Sequence, residues 1–403
     1  MRSALETARA VGAGELDPVA VVEETLAAIE AHRDLNAVLT VCAEEALARA
    51  RAGVSGRLAG VPLLVKDLID VAGTRTAFGS RIYVDRVAET TAACVLALEA
   101  EGAIVIAKTN LDEFAWGVGG QNVHWGDTQN PLHPGRIAGG SSAGNAAALA
   151  AGIGALALGT DTGGSVRLPA AACGVVGLKP PLGAIPTDGV YPLAPSFDTI
   201  GPMARSAADC ALAWSVFSGE PVPEPSLDVK RIGVLKRRPP LGGGEEPGEL
   251  DPRAERLGDS EVTIPVPEAS IWPIFYAEAA ESHRATYPAR AGEYGPVIRA
   301  KLETAQRTLE QPQAIAAAYS ALESWRRAAA TEPAVDVVVS PVLGVAALPT
   351  IDTHEEEFRI PFSAYTRVFS FLGWPAIAVG EVQLAARDMR TLLEAALAWP
   401  AQG

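Results

Sequence analysis

The sequence predicts an α/β protein, folded as a single α/β/α domain around a large mixed, mostly parallel twisted sheet. Apolar runs typical of strands alternate with helical segments, which is the pattern of a sheet covered by helices on both faces. Hydrophobic residues make up 48% of the 403 residues, which is ample for a large core. We expect one domain over residues 1–403, with a mobile surface excursion over 220–250, where Pro, Gly and charged residues are frequent.

The N-terminal half supplies most of this alternation. Asp17 can cap a helix over residues 17–33, and Pro18 suits its first turn. A second helix is predicted over 90–101, where Gly102 ends it. Strands are predicted over 36–42, 61–65, 103–107, 155–159 and 175–180, with a tightly packed helix of small residues that ends at Ala151.

The C-terminal half is less regular in its pattern. Strands are predicted over 231–235, 261–266 and 335–339. Helical segments are predicted over 276–329 and 389–399.

The charge balance excludes one class of function. The chain has 33 Lys and Arg against 48 Asp and Glu, a net charge of −15. We expect no nucleic-acid partner, because a chain with this negative charge repels phosphate backbones. No apolar stretch is long enough to cross a membrane, and no signal peptide is recognisable, so we expect a cytoplasmic protein without membrane contact.

Neither the cysteines nor the histidines have the spacing of a metal site. The four cysteines contain no Cys-x-x-Cys pair, and the five histidines contain no His-x-x-x-His pair. We therefore expect neither a disulfide framework nor a bound metal, and no organic cofactor.

Glycine-flanked serines are the strongest candidates for chemistry. Ser142 is the centre of a Gly-x-Ser-x-Gly sequence, but no clear buried strand leads into it, as a nucleophile elbow requires. Ser141 and Ser165 also follow Gly-Gly pairs, and glycine turns expose backbone N–H groups to a bound oxygen. The residues alone leave open a phosphate-cradling loop or purely structural turns, although the glycine pattern of nucleotide-binding loops is absent.

Four segments together resemble the amidase signature family. They are GGSSAGNAAALAAGIGALALGTDTGGSVRLPAAACGVVGLKP at 139–180, VPLLVKDLID at 61–70, IAKTNLDEFAWG at 106–117 and NPLHPGRIAGGSS at 130–142. The similarity extends over residues 3–215 and returns at 335–342, at 365–380 and in the last helix. Two places are shorter than is usual in the family, around 247–260 and directly after Gly380.

The resemblance implies a Ser–cis-Ser–Lys triad. By motif position its lysine is Lys66, the serine of the cis peptide is Ser141, and the nucleophile is Ser165. A serine hydroxyl needs a base, and a lysine serves as one only when burial lowers its pKa; the apolar run before Lys66 favours such burial. Ser141 would relay the proton from Ser165 to Lys66. The resemblance further implies an oxyanion hole formed by the backbone N–H groups of Thr162, Gly163, Gly164 and Ser165.

Supporting roles are expected for the neighbours of the triad. Ser142 is interpreted as structural or as a donor behind the reacting groups, because serine often begins helices. Asp161 and Arg167 flank the nucleophile, and we expect a hydrogen-bonded pair that fixes the turn, because buried charges need partners. Lys179 is interpreted as structural.

The resemblance leaves three hypotheses for function. The first is an amidase that hydrolyses the C–N bond of a small carboxamide through an acyl-enzyme on Ser165, with a homodimer as the expected assembly. The second is the glutaminase subunit of a tRNA-dependent amidotransferase, which requires partner subunits. The third is a non-catalytic scaffold of the same fold, which the intact set of Lys66, Ser141 and Ser165 disfavours.

Overall fold

A ten-stranded sheet forms the centre of the protein in the computed structural model, which describes residues 2–227, 231–241 and 248–400. In chain order its strands are β1 (Val38–Val41), β2 (Pro62–Lys66), β3 (Ile104–Thr109), β4 (Leu156–Asp161), β5 (Val176–Lys179), β6 (Thr199–Ala204), β7 (Ile232–Val234), β8 (Val337–Pro341), β9 (Ala376–Val379) and β10 (Val382–Ala386). Across the sheet the order is β1-β3-β2-β4-β6-β5-β9-β10-β8-β7.

Helices cover both faces of this sheet. They are α1 (Ala4–Gly12), α2 (Pro18–Ala31), α3 (Ala43–Ala52), α4 (Ala93–Ala100), α5 (Ala143–Ala150), α6 (Arg167–Ala172), α7 (Ala207–Ser218), α8 (Pro252–Glu255), α9 (Trp272–Ser282), α10 (Pro296–Leu309), α11 (Pro312–Ala329), α12 (Glu355–Phe362), α13 (Ala364–Leu372) and α14 (Met389–Ala398). Leu63 and Val65 of β2 pack in a core with α4, α7 and α14, whereas Leu64 between them packs with α2, α3 and α5 on the other face. The predicted α/β/α layering is confirmed.

The strand directions correct one part of the predicted fold. The sheet is mixed, but only the pairs β2–β3, β2–β4 and β7–β8 are parallel; the other six neighbouring pairs are antiparallel. The expectation of a mostly parallel sheet is therefore wrong. Helix–strand alternation governs β2, β3 and β4, whereas only Gly380 and Glu381 separate β9 from β10, and strands joined so closely pair antiparallel.

Local signals in the N-terminal half predicted the elements well. The Asp17 side chain accepts a hydrogen bond from the Val19 N–H, and Pro18 is the first residue of α2, as expected from the sequence.

In the C-terminal half, the strand predicted over 261–266 is wrong, because only Glu261 makes a bridge, to Val234 of β7.

Two further predictions of the C-terminal half meet the structure only in part. The helical segment predicted over 276–329 divides into α9, α10 and α11, and α10 and α11 each begin with a proline. Within the predicted excursion over 220–250, β7 forms an edge of the sheet, and residues 228–230 and 242–247 lie outside the described residues.

The ends of two adjacent strands create the place where polar chemistry is possible. β2 and β4 are parallel neighbours, and they end at Lys66 and Asp161 respectively, so both residues lie at one edge of the sheet. The small residues of α5 allow the glycine-rich turn that precedes this helix to approach the ends of β2 and β4. A Cβ on Gly144 would lie 2.5 Å from the Asn110 backbone N. Among the helices of the described ranges, none combines the length and apolar character needed to cross a membrane.

Candidate active site

Lys66 is a completely buried amine held by hydroxyl groups. Its Nζ donates hydrogen bonds to Ser141 Oγ at 2.7 Å and to Thr160 Oγ1 at 2.8 Å. Burial lowers the pKa of Lys66 from 10.5 to about 7, although the negative charges of Asp112, Asp161 and Asp198 oppose this. Lys66 therefore has a substantial neutral fraction near pH 7 and can accept a proton there.

Ser141 lies at the start of the turn that precedes α5. The peptide bond between Gly140 and Ser141 is cis, and the Gly140 N–H donates to the Val118 carbonyl at 2.7 Å. No larger side chain fits at position 140, because a Cβ there would lie 2.5 Å from the carboxyl group of Asp112. The Ser141 hydroxyl is completely buried beside Lys66.

Ser165 lies in the turn between β4 and α6 and lines a pocket together with Thr162 and Gly163. The Ser142 N–H donates to the Ser165 carbonyl at 3.1 Å, which joins this turn to the turn of Ser141. Within the described ranges, the hydroxyls of Ser141 and Ser165 are not hydrogen-bonded to each other. The structure therefore brings Lys66, Ser141 and Ser165 into one region, with Ser165 at the pocket and Lys66 behind it.

A buried ion pair fixes the turn that carries Ser165. Arg167 donates to Asp161 through Nε at 3.0 Å and through Nη2 at 2.9 Å, and both side chains are completely buried. The Asp161 carboxylate also accepts from the Gly164 N–H at 2.8 Å and from the Val166 N–H at 3.2 Å. Burial favours a higher pKa for Asp161, but Arg167 outweighs it and the pKa is lowered.

This ion pair corrects one residue of the predicted oxyanion hole. The Gly164 N–H is already engaged by the buried Asp161 carboxylate, so it is not available to a substrate oxygen. The sequence pattern of glycines could not reveal this, because it shows which amides are unobstructed and not which acceptor they meet. Thr162, Gly163 and Ser165 remain as candidates, and all three line the pocket.

Sequence analysis missed three polar residues of this region: Thr160, Asp112 and Asp198. Thr160 is the second hydroxyl bound to Lys66. Asp198 accepts from Thr162 Oγ1 at 2.6 Å and from the Leu193 N–H at 2.9 Å, so it positions the residue that begins the nucleophile turn. Alternation within β4 places Thr160 on the face of Leu158, which packs with Val65 of β2. Lys66 belongs to the other face of β2, so this pattern gave no signal for the contact between Thr160 and Lys66. No local signal identifies Asp112 or Asp198.

The remaining candidates have structural surroundings. The Ser142 hydroxyl is completely buried and donates to the Thr160 carbonyl at 3.4 Å. Lys179, on β5, donates to the Pro180 carbonyl at 2.9 Å, and burial lowers its pKa to about 7. Lys179 is thus a second buried amine, bonded to the chain's own backbone.

A pocket lies beside Ser165. Its walls are largely aromatic and come from distant parts of the chain: Trp116, Trp272, Phe275, Tyr276 and Phe371. Its charged residues are Lys301, Glu355, Arg359 and Arg367. Lys301 Nζ and Glu355 Oε1 form an ion pair at 2.7 Å. Aromatic walls with a few charged groups are typical of sites that bind a small organic molecule.

A family model described as Amidase matches residues 20–232, which is more than half of the chain. The chain belongs to the Amidase family. The resemblance to amidase signature proteins is thereby confirmed, and so is the assignment to a family of enzymes that act on C–N amide bonds.

The curated relatives match only part of this chain, whereas the solved structures match nearly all of it. A glutamyl-tRNA(Gln) amidotransferase subunit from Deinococcus radiodurans is 42% identical over 61% of this chain and 55% of its own length. The corresponding protein of Akkermansia muciniphila is 41% identical over 63% of this chain and 59% of its own length. The chain thus spans just over half the length of these curated relatives.

Solved structures match nearly the whole chain. A crystal structure of an amidase superposes with a TM-score of 0.85 at 30% identity, covering 98% of both chains. The native peptide amidase from Stenotrophomonas maltophilia superposes with a TM-score of 0.78 at 27% identity, covering 98% of this chain and 96% of its own. The fold of this chain is therefore the fold of these Amidase family enzymes.

Proposed function

We propose that this protein is an amidase that hydrolyses the C–N bond of a small carboxamide, with Ser165 as nucleophile, Ser141 as relay and Lys66 as base. The observation that carries the proposal is the buried Lys66 amine bonded to the Ser141 hydroxyl, on a turn that is hydrogen-bonded to the turn of Ser165. The Amidase family membership and the superposed amidase structures support the same reaction class.

The proposed reaction begins when Ser165 Oγ attacks the amide carbon and forms the C–O bond. The proton of Ser165 passes to Ser141, while the proton of Ser141 passes to Lys66. This step requires the two serine hydroxyls to come within hydrogen-bonding distance when substrate is bound. The oxygen of the tetrahedral intermediate carries the negative charge, and the N–H groups of Thr162, Gly163 and Ser165 stabilise it.

Collapse of the intermediate breaks the C–N bond. The proton held by Lys66 returns through Ser141 to the leaving nitrogen, so that ammonia or a neutral amine departs and the acyl group stays on Ser165. Water then attacks the ester by the same route, giving a carboxylic acid and free Ser165. A pKa of Lys66 near 7 suits this work, because the amine must both accept and return a proton in each half of the cycle.

The pocket supports a small organic carboxamide as the substrate. Its aromatic walls suit an acyl or amine group with apolar surface. The predicted homodimer and the cytoplasmic location remain predictions.

A second candidate rests on the names of the relatives. The Deinococcus radiodurans and Akkermansia muciniphila proteins are amidotransferase subunits, so a glutaminase subunit working with partner subunits is the alternative. Glutamine included among the test amides separates the two candidates: hydrolysis of glutamine that appears only when amidotransferase partner subunits are added supports the second. Absence of labelling by a fluorophosphonate probe supports the non-catalytic scaffold.

The decisive experiment measures ammonia release over a panel of amides for the wild type and for Ser165→Ala, Ser141→Ala and Lys66→Ala. Each single change should reduce turnover by roughly 10³–10⁶, because the three residues act as one unit and the loss of any member removes most of the catalytic effect of the unit. The double variant Lys66→Ala with Ser165→Ala should be little worse than Ser165→Ala alone.

The matched controls are Ser142→Ala and Cys173→Ala, with thermal melts to confirm folding. Among the described residues, the Ser142 hydroxyl bonds only the Thr160 carbonyl, and the Cys173 thiol donates to the Ala138 carbonyl at 3.3 Å, away from Lys66. A folded Ser165→Ala protein with wild-type turnover, together with loss in either control, would show that the nucleophile is assigned wrongly.

A further inference from the structure

Asp112 is a buried carboxyl group that the proposed reaction does not use. It lies just before a short 3-10 turn at Glu113–Ala115, and only 2% of its surface is exposed. Its Oδ2 accepts from the Gly119 N–H at 3.1 Å. Its Oδ1 is buried without a hydrogen-bond partner among the described residues. An ionised carboxylate would leave that oxygen unsatisfied, so this environment favours the protonated acid.

The carboxyl group fills space that two glycines leave. A Cβ on Gly117 would lie 2.1 Å from Asp112 Oδ2, and a Cβ on Gly140 would lie 2.6 Å from Oδ1. Gly140 is the residue before Ser141, whose hydroxyl accepts from Lys66. Asp112 is therefore packed directly against the turn that carries Ser141, the proposed relay.

The charges around Asp112 come from three elements. Glu355 of α12 and Lys301 of α10 form the ion pair beside it, and Lys66 faces it from β2. Lys66 in turn is influenced by Asp112, Asp161 and Asp198. A cleft on the outer side of Asp112 is also lined by Glu113, Asp127 and His354.

These charges act on Asp112 in a definite direction. Burial, and then the negative charge of Glu355, raise the pKa of Asp112 to about 8, while Lys66 and Lys301 oppose this rise. Conversely, an ionised Asp112 raises the pKa of Lys66. The two groups therefore titrate together, and ionisation of Asp112 holds the proton on Lys66.

We propose that Asp112 is a positioning residue for the base: its carboxyl group, kept protonated by its burial and by the neighbouring Glu355, allows Lys66 to be the neutral amine that the proposed function requires. The inference rests on that function, since it concerns the proton that Lys66 must accept. Asp112 itself does not touch the substrate in this scheme.

The two variants predict different changes. Asparagine is uncharged, as the protonated acid is, so the rising limb of turnover against pH should stay within a few tenths of a unit in Asp112→Asn. Glu355→Gln removes one of the groups that keep Asp112 protonated, so Asp112 ionises at lower pH and the limb should move up by roughly one unit. The double variant should follow Asp112→Asn, because Glu355 acts through Asp112.

The experiment measures kcat/KM from pH 5.5 to 10 for the wild type and these three variants, using an amide whose charge does not change in that range. An upward shift in Glu355→Gln that disappears in the double variant supports the inference, and no merely structural role produces it. A Glu355→Gln limb that stays within a few tenths of a unit of the wild type, or an upward shift that persists in the double variant, overturns it. If Asp112→Asn does not fold, the upward shift in Glu355→Gln decides by its presence or absence.

A direct titration distinguishes failure of the inference from failure of the proposed function. In protein carrying ¹³C-labelled lysine, the NMR signal of the Lys66 Cε, the carbon bonded to Nζ, reports the protonation of the amine. This signal is assigned by its loss in Lys66→Met. If this signal titrates where the wild-type rising limb lies but does not move in Glu355→Gln, only the inference fails. If the limb lies elsewhere, or persists in Lys66→Met, Lys66 is not the base and the proposed function fails.

Discussion

The region around Lys66 and the region around Lys108 hold the same kind of side chain in different company. Both lysines are completely buried, and they lie on the neighbouring parallel strands β2 and β3. Lys108 Nζ donates to Asp67 Oδ1 at 3.1 Å and to Thr76 Oγ1 at 2.7 Å, so it has a carboxylate partner. Lys66 Nζ instead donates to the two hydroxyls of Ser141 and Thr160.

The sheet register explains why adjacent positions differ so sharply. Lys108 pairs with Val65 and Thr109 pairs with Lys66, so the two lysine side chains project to opposite faces. Asp67 lies two residues beyond Val65 and therefore meets Lys108 and not Lys66. Burial lowers the pKa of both lysines, but for Lys108 the bonded Asp67 carboxylate opposes this by its charge and its hydrogen bond, whereas the bonded partners of Lys66 are uncharged hydroxyls. The comparison teaches that the partner, and not burial alone, governs how readily a buried amine releases its proton.

The sharpest test of this contrast is Lys66→Met, for which we expect the largest effect. Turnover should fall by roughly 10³–10⁶, as for the other members of the unit. The free energy of unfolding at pH 7 should not fall, because methionine avoids the cost of burying an amine that has no carboxylate bonded to it. Amide turnover and chemical denaturation of the same preparation measure both quantities. A variant that loses stability together with activity would remove the contrast.

Lys108→Met should show the reverse behaviour. It leaves the Asp67 carboxylate buried without its cation, which should destabilise the protein by about 3–5 kcal/mol. Turnover per folded molecule, measured well below the melting temperature, should stay within about tenfold of the wild type, because Lys108 lies on the face away from Ser141. Lys108→Met combined with Asp67→Asn serves as the control and should recover part of the lost stability. No recovery would mean that the pair is not what stabilises this face.

The sequence predicted Lys66 as the lysine of the proposed chemistry, but it did not predict how the surroundings of Lys66 and Lys108 differ. The apolar run that ends at Lys66 indicated burial, and the Gly-Gly-Ser segments indicated sharp turns, because both signals are local. The partners of Lys66 are not local: Thr160 comes from β4, and Asp112 from a loop after β3. Which carboxylates and hydroxyls meet an amine depends on strand order and register, which spacing along the chain does not contain.

The same limit explains the errors in the fold. Helix–strand alternation predicted the parallel strands β2, β3 and β4, where a helix covers each crossover. It could not predict that β9 and β10 form a tight hairpin, nor that β6 lies between β4 and β5. The aromatic residues of the pocket, such as Trp116 and Trp272, meet only after α9 and α13 pack against the sheet.

The pH dependence of stability gives a third way to sharpen the comparison. The folded-state pKa of Lys66 is about 7, below the 10.5 of the exposed side chain, so the unfolded chain binds the proton more readily between these values. Stability from this group therefore rises with pH across that window, by up to roughly 1.4 kcal/mol per pH unit. Chemical denaturation of the wild type and Lys66→Met at pH 7.5, 8.5 and 9.5 isolates it as a difference that changes with pH. A difference that stays constant with pH would mean that the folded-state pKa of Lys66 is not lowered.

The smallest expected effect comes from removing one threonine hydroxyl from each lysine: Thr160→Val at Lys66 and Thr76→Val at Lys108. Thr160→Val removes one of the two acceptors of Lys66, which destabilises its protonated form and leaves the amine less firmly oriented toward Ser141. We expect turnover to fall by roughly tenfold and the rising limb of the pH profile to move to lower pH, since the ammonium form loses a hydrogen bond. Thr76→Val removes the corresponding acceptor of Lys108 but leaves the Asp67 carboxylate, so it should cost about 1 kcal/mol of stability and leave the pH profile unchanged. Turnover profiles and melts of both variants decide the matter. Equal movement of the two pH profiles would show that the hydroxyls around Lys66 do not tune the base, and that the two faces of the sheet differ only in their distance from the pocket.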